Sequence, residues 1–422
     1  MTKFAQKLSA RSFCAMSRSL MLALFLMLFG ASTVLAQTAY VANINDNTVS
    51  AIDSATNTVI ATIPVGQSPI TVAVTPDGAF AYVANQGSHT VSVIDTATHT
   101  VIATVPVGTT PWATAITPNG AFVYVANQNS STVSVIATTT NTVTATIPVG
   151  SQPLGVAIAP NGAFIYVANS GGNTVSVIDA ATNTVSATIT GFSFPGNLAI
   201  TPDGAFAYVT NQGNGTVSVI DTATNTITAT IPVGVNPTFV DITPDGAFAY
   251  VTNFFSGSVS VIDTATNTVI ALVNVSLGFP AGVAISPDGT FAYVAILTAN
   301  VVLRVDTATN TVTASIPVGN GPAGIAFPTR ASAPVDPIDA LIAQVQALVN
   351  GGSLTQAQGD ALIGKLHEIK TKINLGQTNG ACNQLSSFIN QVQGFINNGS
   401  LTATQGHALI DAANAIKSGL GC

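Results

Sequence analysis

Hydrophobic positions recur along this chain in a unit of about 42 residues. One copy contains four short apolar runs, at Val72–Thr75, Phe80–Ala84, Val91–Ile94 and Val101–Val105. Apolar and polar residues alternate in the last two runs, which predicts half-buried β-strands. Pro76-Asp77-Gly78 separates the first two runs and predicts a tight turn, because glycine adopts positive φ readily. Each unit is therefore predicted to form a small four-stranded sheet.

The tyrosines of the chain mark this unit, since each occurs once per copy. They are Tyr40, Tyr82, Tyr124, Tyr166, Tyr208, Tyr250 and Tyr293. Four strands in about 40 residues are typical of a β-propeller blade. We therefore predict an all-β, seven-bladed propeller over residues 37–330. The repeats begin with a tyrosine strand and end with an innermost-type strand, Gly324–Phe327, so this last strand should close the first blade.

The repeat resembles the YVTN-type β-propeller family. Tyr82-Val83-Ala84-Asn85, Tyr208-Val209-Thr210-Asn211 and the recurring D-T-A-T-N-T-V runs carry this resemblance over residues 38–328. It implies a propeller fold and an extracytoplasmic setting, including surface-layer-like proteins. It implies no single activity, because one propeller scaffold hosts many functions.

The pattern changes to helical spacing after a Pro/Ala linker at residues 331–337. Residues 338–422 are predicted to form two helical hairpins, because one design recurs 47 residues later, with G-S-L-T at 352–355 and again at 399–402. Thr355 with Gln358 predicts a capping box at a helix start. This tail resembles the FIMAH-type C-terminal domain of exported bacterial proteins, which implies a docking or anchoring role.

Composition first suggests a membrane protein, with 47% hydrophobic residues, 6% charged residues and a mean hydropathy of +0.50. However, the long apolar run at Leu20–Phe29 is too short to span a bilayer, which takes about 20 residues. Lys3, Lys7, Arg11 and Arg18 precede or flank that run. Residues 1–36 therefore predict a signal peptide and a secreted or extracytoplasmic protein, with a membrane anchor as the alternative.

Charge excludes nucleic acid as a partner. Without residues 1–36 the chain keeps six basic and seventeen acidic residues, a net charge of −11. Residues 37–330 contain only Arg304 and Arg330 as basic residues, and nucleic-acid binding needs many. Cys382 and Cys422 are predicted to form a disulfide, with two unpaired thiols as the alternative.

A candidate binding face follows from departures between repeats. Asp241 replaces an alanine of the innermost strand, which should place a carboxylate near the central channel or between blades. The plain alternative is a channel-lining Asp that holds water. Trp112, Phe192, Phe194 and Phe279 occupy one type of connection and could stack on a sugar or grip a partner, or simply fill gaps between blades.

Catalytic and metal motifs are sparse. His89 and His99 are isolated loop residues, and one aspartate per turn is too few for calcium, so neither a metal nor a cofactor is expected. We therefore expect an exported, non-catalytic interaction scaffold that binds an unknown protein or glycan surface component, with the tail for docking. The alternatives are a hydrolase or lyase with a site at the channel mouth near Asp241, and a purely structural envelope protein.

Overall fold

A computed structural model describes residues 37–275, 278–328, 337–350, 352–374, 377–420 and 422. The chain divides into two compact units, and the division falls between residues 329 and 330. The predicted signal peptide at 1–36 and most of the predicted linker lie outside the described residues. Each unit is described below by itself.

The first unit is a seven-bladed β-propeller, as predicted. Its strands form seven four-stranded antiparallel sheets, and the innermost strands of neighbouring blades contact one another around a ring. The innermost strands are β4 (Pro69–Val74), β8 (Pro111–Ile116), β12 (Pro153–Ile158), β16 (Pro195–Ile200), β20 (Pro237–Ile242), β24 (Pro280–Ile285) and β28 (Pro322–Ala326). The second strands are β1 (Thr38–Asn43), β5 (Phe80–Asn85), β9 (Phe122–Asn127), β13 (Phe164–Asn169), β17 (Phe206–Asn211), β21 (Phe248–Asn253) and β25 (Phe291–Ile296).

The outer half of each blade is equally regular. The third strands are β2 (Thr48–Asp53), β6 (Thr90–Asp95), β10 (Thr132–Ala137), β14 (Thr174–Asp179), β18 (Thr216–Asp221), β22 (Ser258–Asp263) and β26 (Val301–Asp306). The outermost strands are β3 (Thr58–Pro64), β7 (Thr100–Pro106), β11 (Thr142–Pro148), β15 (Thr184–Thr190), β19 (Thr226–Pro232), β23 (Thr268–Asn274) and β27 (Thr311–Pro317). We number as blade 1 the sheet of β28 and β1–β3, and the following sheets as blades 2 to 7 in chain order.

Blade 1 closes the ring, because β28 from the end of the propeller pairs antiparallel with β1 from its beginning. Tyr40 faces Ala326 and Val41 faces Ile325 in this ladder. The prediction of a closing C-terminal strand is confirmed. The innermost strands begin earlier than the apolar pattern predicts, at Pro69 in blade 2, because proline is tolerated as the first residue of a strand.

Buried tyrosines join the blades through hydrogen bonds. The Tyr82 hydroxyl donates to Asn141 Oδ1 at 2.8 Å, from blade 2 to the outer turn of blade 3. The same bond recurs from blades 3 to 7, and the last one runs from Tyr293 of blade 7 to Asn57 Oδ1 of blade 1 at 2.8 Å. Each of these asparagines caps its turn in the left-handed region, for example Asn57 at φ 53°. Each of these tyrosines therefore links its blade to the next one by a hydrogen bond.

The second unit contains the helices α1 (Pro337–Asn350), α2 (Gln356–Asn374), α3 (Thr378–Asn397) and α4 (Ala403–Leu420). Their buried faces share one core that includes Leu341, Leu366, Phe388 and Leu409. None of the helices in the described residues is long and apolar enough to cross a membrane.

The ends of these helices follow the sequence pattern. The Thr355 N–H donates to Gln358 Oε1 at 2.8 Å, and the Gln358 N–H donates back to Thr355 Oγ1 at 3.3 Å, which is a reciprocal capping box. Cys382 in α3 and Cys422 form a disulfide, with Cα atoms 6.2 Å apart.

Candidate functional site

Asp241 lies on β20, the innermost strand of blade 6, and reaches across to blade 7. Its Oδ2 accepts a hydrogen bond from the Ile285 N–H on β24 at 2.7 Å, and its Oδ1 accepts from the Ile242 N–H at 2.9 Å. The Ile285 N–H lies outside the ladder of its own blade, because innermost strands leave one edge unpaired. Asp241 therefore joins two blades at the inner rim of the ring.

Burial raises the pKa of the Asp241 carboxyl to about 6, and the two backbone N–H bonds lower it only in part. Residue 241 as a whole is partly exposed to solvent, but its carboxyl group is buried. A carboxylate with a pKa near 6 is ionised at neutral pH and is a stronger base than an ordinary aspartate. The raised pKa makes Asp241 a candidate general base.

Threonines on the innermost strand of blade 6 and on the second strands of blades 5 and 6 make further hydrogen bonds between blades. Thr238 and Thr252 each donate to the Ala281 carbonyl of blade 7, at 3.0 and 2.9 Å. Thr210 donates to the Thr238 carbonyl of blade 6 at 3.2 Å. Thr210 and Thr252 replace the alanine of the Tyr-Val-Ala-Asn motif, so the sequence carried a signal for this interblade network that we did not use.

The predicted aromatic positions divide into buried and exposed ones. Phe192 is buried in the apolar core between blades 4 and 5, where it fills a gap. Trp112 is half-buried on β8, and its carbonyl accepts a hydrogen bond from Thr71 Oγ1 at 2.8 Å. Phe194 is 56% exposed in the connection before β16.

Phe279 belongs to an exposed aromatic cluster with two residues outside the predicted set. It stacks on Phe254 with ring centroids 4.9 Å apart and meets Phe255 edge-on at 6.1 Å. This cluster lies at the proline end of the innermost strands, whereas Asp241 is the fifth residue of β20, next to the turn at the other end. The structure therefore does not bring Asp241 together with the aromatic residues.

The remaining polar candidates serve the fold. The His89 Nδ1 accepts the Thr110 N–H at 3.1 Å, the role that Asn47 Oδ1 plays for Ser68 in another blade. His99 stands where the other outer turns have asparagine, beside Tyr40. Among the described residues, no three His, Cys, Asp or Glu side chains are grouped so that they could hold a metal ion.

Three family models of propellers match overlapping parts of the chain, each less than half of it. They are a lactonase, 7-bladed β-propeller model over residues 35–147, a YNCE-like β-propeller model over residues 107–212 and a cytochrome D1 heme domain model over residues 166–282. These matches confirm a β-propeller protein. A search of curated proteins finds no match to the chain.

Solved structures with the same architecture include enzymes. Hydrazine synthase from Kuenenia stuttgartiensis is 28% identical, with 61% of this chain and 88% of that chain covered and a TM-score of 0.57. A putative 6-phosphogluconolactonase from Bacteroides uniformis is 19% identical, covering 69% and 99% of the two chains at a TM-score of 0.60. A dihydro-heme d1 dehydrogenase is 17% identical, covering 70% and 76% at a TM-score of 0.56. The last two likenesses show the fold alone.

These matches correct our expected function. A non-catalytic interaction scaffold is the wrong reading, because the matching lactonase and cytochrome D1 heme models describe catalytic or heme-binding propellers. The expectation relied on the scarcity of clustered metal- and cofactor-binding side chains. That scarcity argues only against chemistry that uses a metal or a cofactor. It leaves open a reaction that needs one carboxylate and water.

The residues of the propeller do not fit a heme. Heme iron is usually held by His, Cys, Met or Tyr, with cations near its carboxylates. In residues 37–275 and 278–328, His89 and His99 lie in loops of opposite faces, and the tyrosine hydroxyls face neighbouring turns. Arg304, the one Lys or Arg in those residues, lies over the Phe291 ring. We therefore derive no step through a heme.

Proposed function

We propose that the propeller is a hydrolase of small, uncharged cyclic esters, with Asp241 as the general base. The observation that carries this proposal is a carboxylate at the inner rim with a pKa raised to about 6 by burial, on a partly exposed residue whose position is alanine in the other six blades. The lactonase-type match over residues 35–147 supports the substrate class.

The chemistry balances with one carboxylate and one water. The Asp241 carboxylate takes a proton from water as the water oxygen bonds to the ester carbonyl carbon. The ring C–O bond then breaks, and the leaving alkoxide oxygen takes the proton back from the Asp241 carboxyl. The Ile285 N–H is already bonded to Asp241, so we assign the developing oxyanion to other N–H groups on the unpaired inner edges of the innermost strands.

Charge restricts the substrate to neutral lactones. A phosphoryl group is normally held by Arg or Lys. Arg304 is the only such residue in the described part of the propeller, and its guanidinium is engaged 4.1 Å above the Phe291 ring. We therefore do not extend the proposal to phosphorylated lactones.

The test measures acid release from neutral aliphatic and sugar lactones by the full chain. We expect Asp241→Asn to lower kcat/KM by about 10²-fold or more, and the wild-type rate to rise with pH around a midpoint of about 6. Asp245→Asn is the matched control, because Asn119 and Asn161 occupy this turn position in blades 3 and 4. Full activity in Asp241→Asn, or no turnover of any neutral lactone by the wild type, would overturn the proposal.

We also propose that the protein acts outside the cytoplasm. The Cys382–Cys422 disulfide supports this setting, because structural disulfides persist in oxidising compartments. The finer assignments to the YVTN-type repeat and to the FIMAH-type tail remain proposals. The repeated tyrosine motif supports the first, and the duplicated helical hairpin supports the second.

A further inference from the structure

Two lysines of the helical unit reach one point of helix α3 from its two neighbouring helices. Lys365 of α2 donates from Nζ to Ser387 Oγ at 3.0 Å, and Lys417 of α4 donates from Nζ to Ser386 Oγ at 3.0 Å. Both lysines are half-buried. In the described part of the chain, neither ammonium group pairs with a carboxylate. Because an ammonium group has more than one donor, each keeps donors for an anionic ligand.

The internal repeat of this unit shows which group is absent beside Lys417. The 47-residue offset between the two hairpins aligns Lys417 with Lys370 and Ser386 with Asp339. Lysine therefore occurs at this position in both hairpins, whereas the acidic residue of the first hairpin is a serine in the second. A carboxylate from a ligand would supply the negative charge that the second hairpin lacks.

The two serines lie on the outer side of α3. Leu385 and Phe388, which flank them in the chain, are buried in the core of the unit. Because each residue turns the helix by about 100°, Ser386 and Ser387 then point away from that core. The two ammonium groups therefore approach the outer side of α3 along both of its flanks.

Among the described residues, no carboxylate neutralises this site. Helix α3 itself contains no Asp, Glu, Lys or Arg. Glu368 lies one turn beyond Lys365 on α2, and its carboxylate accepts a hydrogen bond from Gln384 Nε2 at 3.0 Å. The middle of α3 is therefore a positive patch in a chain whose propeller is acidic.

Exposed amides extend this positive patch along α3. Asn383 and Asn390 lie about one turn before and after the two serines, on the same outer side. Both are exposed, and among the described residues neither side-chain amide has a hydrogen-bond partner. Asn397 continues the strip, and it lies about 20 Å from Asn383 along the helix. A strip of this length fits several units of a polymer better than one small anion.

We propose that the outer side of α3 binds an acidic polysaccharide. The uronate carboxylates bind Lys365 and Lys417, and the sugar hydroxyls bond to Asn383 and Asn390. Charge complementarity supports the carboxylate, because the two ammonium groups have no acidic partner. The amides favour a hydroxylated polymer over an acidic polypeptide, because an amide side chain can both donate to and accept from a hydroxyl group. This site lies in the helical unit and does not depend on the proposed hydrolase activity.

The test is binding of fluorescently labelled polygalacturonate to the full chain, measured by anisotropy, beside neutral dextran and polyglutamate of similar length. We expect polygalacturonate to bind most tightly and its binding to weaken with added salt. Lys365→Gln with Lys417→Gln should weaken it about tenfold or more, since glutamine can still donate to the serines but carries no charge. Asn383→Ala with Asn390→Ala should weaken binding of polygalacturonate and leave any binding of polyglutamate unchanged.

Lys370→Gln with Lys372→Gln is the charge-matched control, because it removes two positive charges from another part of α2. It should leave binding nearly unchanged, and far-UV circular dichroism would show that each variant keeps its helices. The proposal is overturned if both lysine pairs weaken binding equally, because net charge and not this site would then attract the polymer. Equal affinity for polyglutamate or dextran, or no binding of polygalacturonate at low salt, would overturn it as well.

Discussion

At the scale of single residues, the repeated asparagines and tyrosines of this propeller make its recurring side-chain hydrogen bonds. The Asn85 amide, buried at the end of β5, donates to Ser92 Oγ at 2.9 Å and to Thr90 Oγ1 at 3.2 Å. Tyr82 donates to the turn of the next blade. Since buried polar groups cost free energy unless they are paired, each departure from this pattern should be measurable.

His99 is such a departure, because it stands where six other turns place the asparagine that accepts a tyrosine hydroxyl. Its Nδ1 is buried without a hydrogen-bond partner, and its ring lies 6.3 Å from that of Tyr40. His99→Asn should supply the missing acceptor and a residue that prefers the left-handed φ of 54° at this turn. We expect a gain of about 0.5–1.5 kcal/mol in the free energy of unfolding, measured by urea denaturation.

Tyr40→Phe provides the control for this prediction, because it removes the hydroxyl that would donate. In that background His99→Asn should gain clearly less stability. An equal gain in both backgrounds would mean that turn conformation, and no new hydrogen bond, explains the effect.

At the scale of elements, glycines set how closely neighbouring segments approach. In helix α2, Gly359 is buried, and a Cβ there would collide with the Val349 side chain of α1, whereas Gly364 is exposed with nothing within 4 Å of such an atom. The second hairpin repeats this arrangement with Gly406 against Ile396. Two glycines of one helix therefore have different roles.

Alanine at these two positions should shift stability in opposite directions. Gly359→Ala should destabilise the helical unit by about 1–3 kcal/mol, since it overpacks the contact between α1 and α2. Gly364→Ala should stabilise it by roughly 0.5–1 kcal/mol, since alanine favours a helix. Thermal unfolding of the full chain, followed by far-UV circular dichroism, would measure both. A loss of similar size in both variants would contradict the assigned contact.

At the scale of the whole molecule, repetition made the fold predictable. Seven copies of one pattern defined strand number, blade number and closure, because each copy must bury its faces against its neighbours. The partners of Asp241 were not predictable, since Ile285 lies 44 residues away in sequence and their contact depends on the offset between two blades. The aromatic cluster was missed for the same reason, because Phe254 and Phe279 come from different repeats.

The interblade position of Asp241 should make the stability of the propeller depend on pH. Its pKa is about 6 in the folded protein and 3.8 ordinarily, so the unfolded chain loses this proton first as the pH rises. The free energy of unfolding therefore falls between about pH 4 and pH 6, by roughly 1–3 kcal/mol for this group. Asp241→Asn has no carboxyl to titrate and lacks this fall. The difference in the free energy of unfolding, variant minus wild type, should therefore be larger near pH 7 than near pH 4, as urea unfolding across this range would show. Asp245 should behave in the opposite way, because its bond from Thr243 lowers its pKa in the folded protein. Its ionisation therefore stabilises the fold as the pH rises, and Asp245→Asn should lose that gain. Parallel pH profiles for the wild type and Asp241→Asn would contradict a buried, titrating carboxyl between blades 6 and 7.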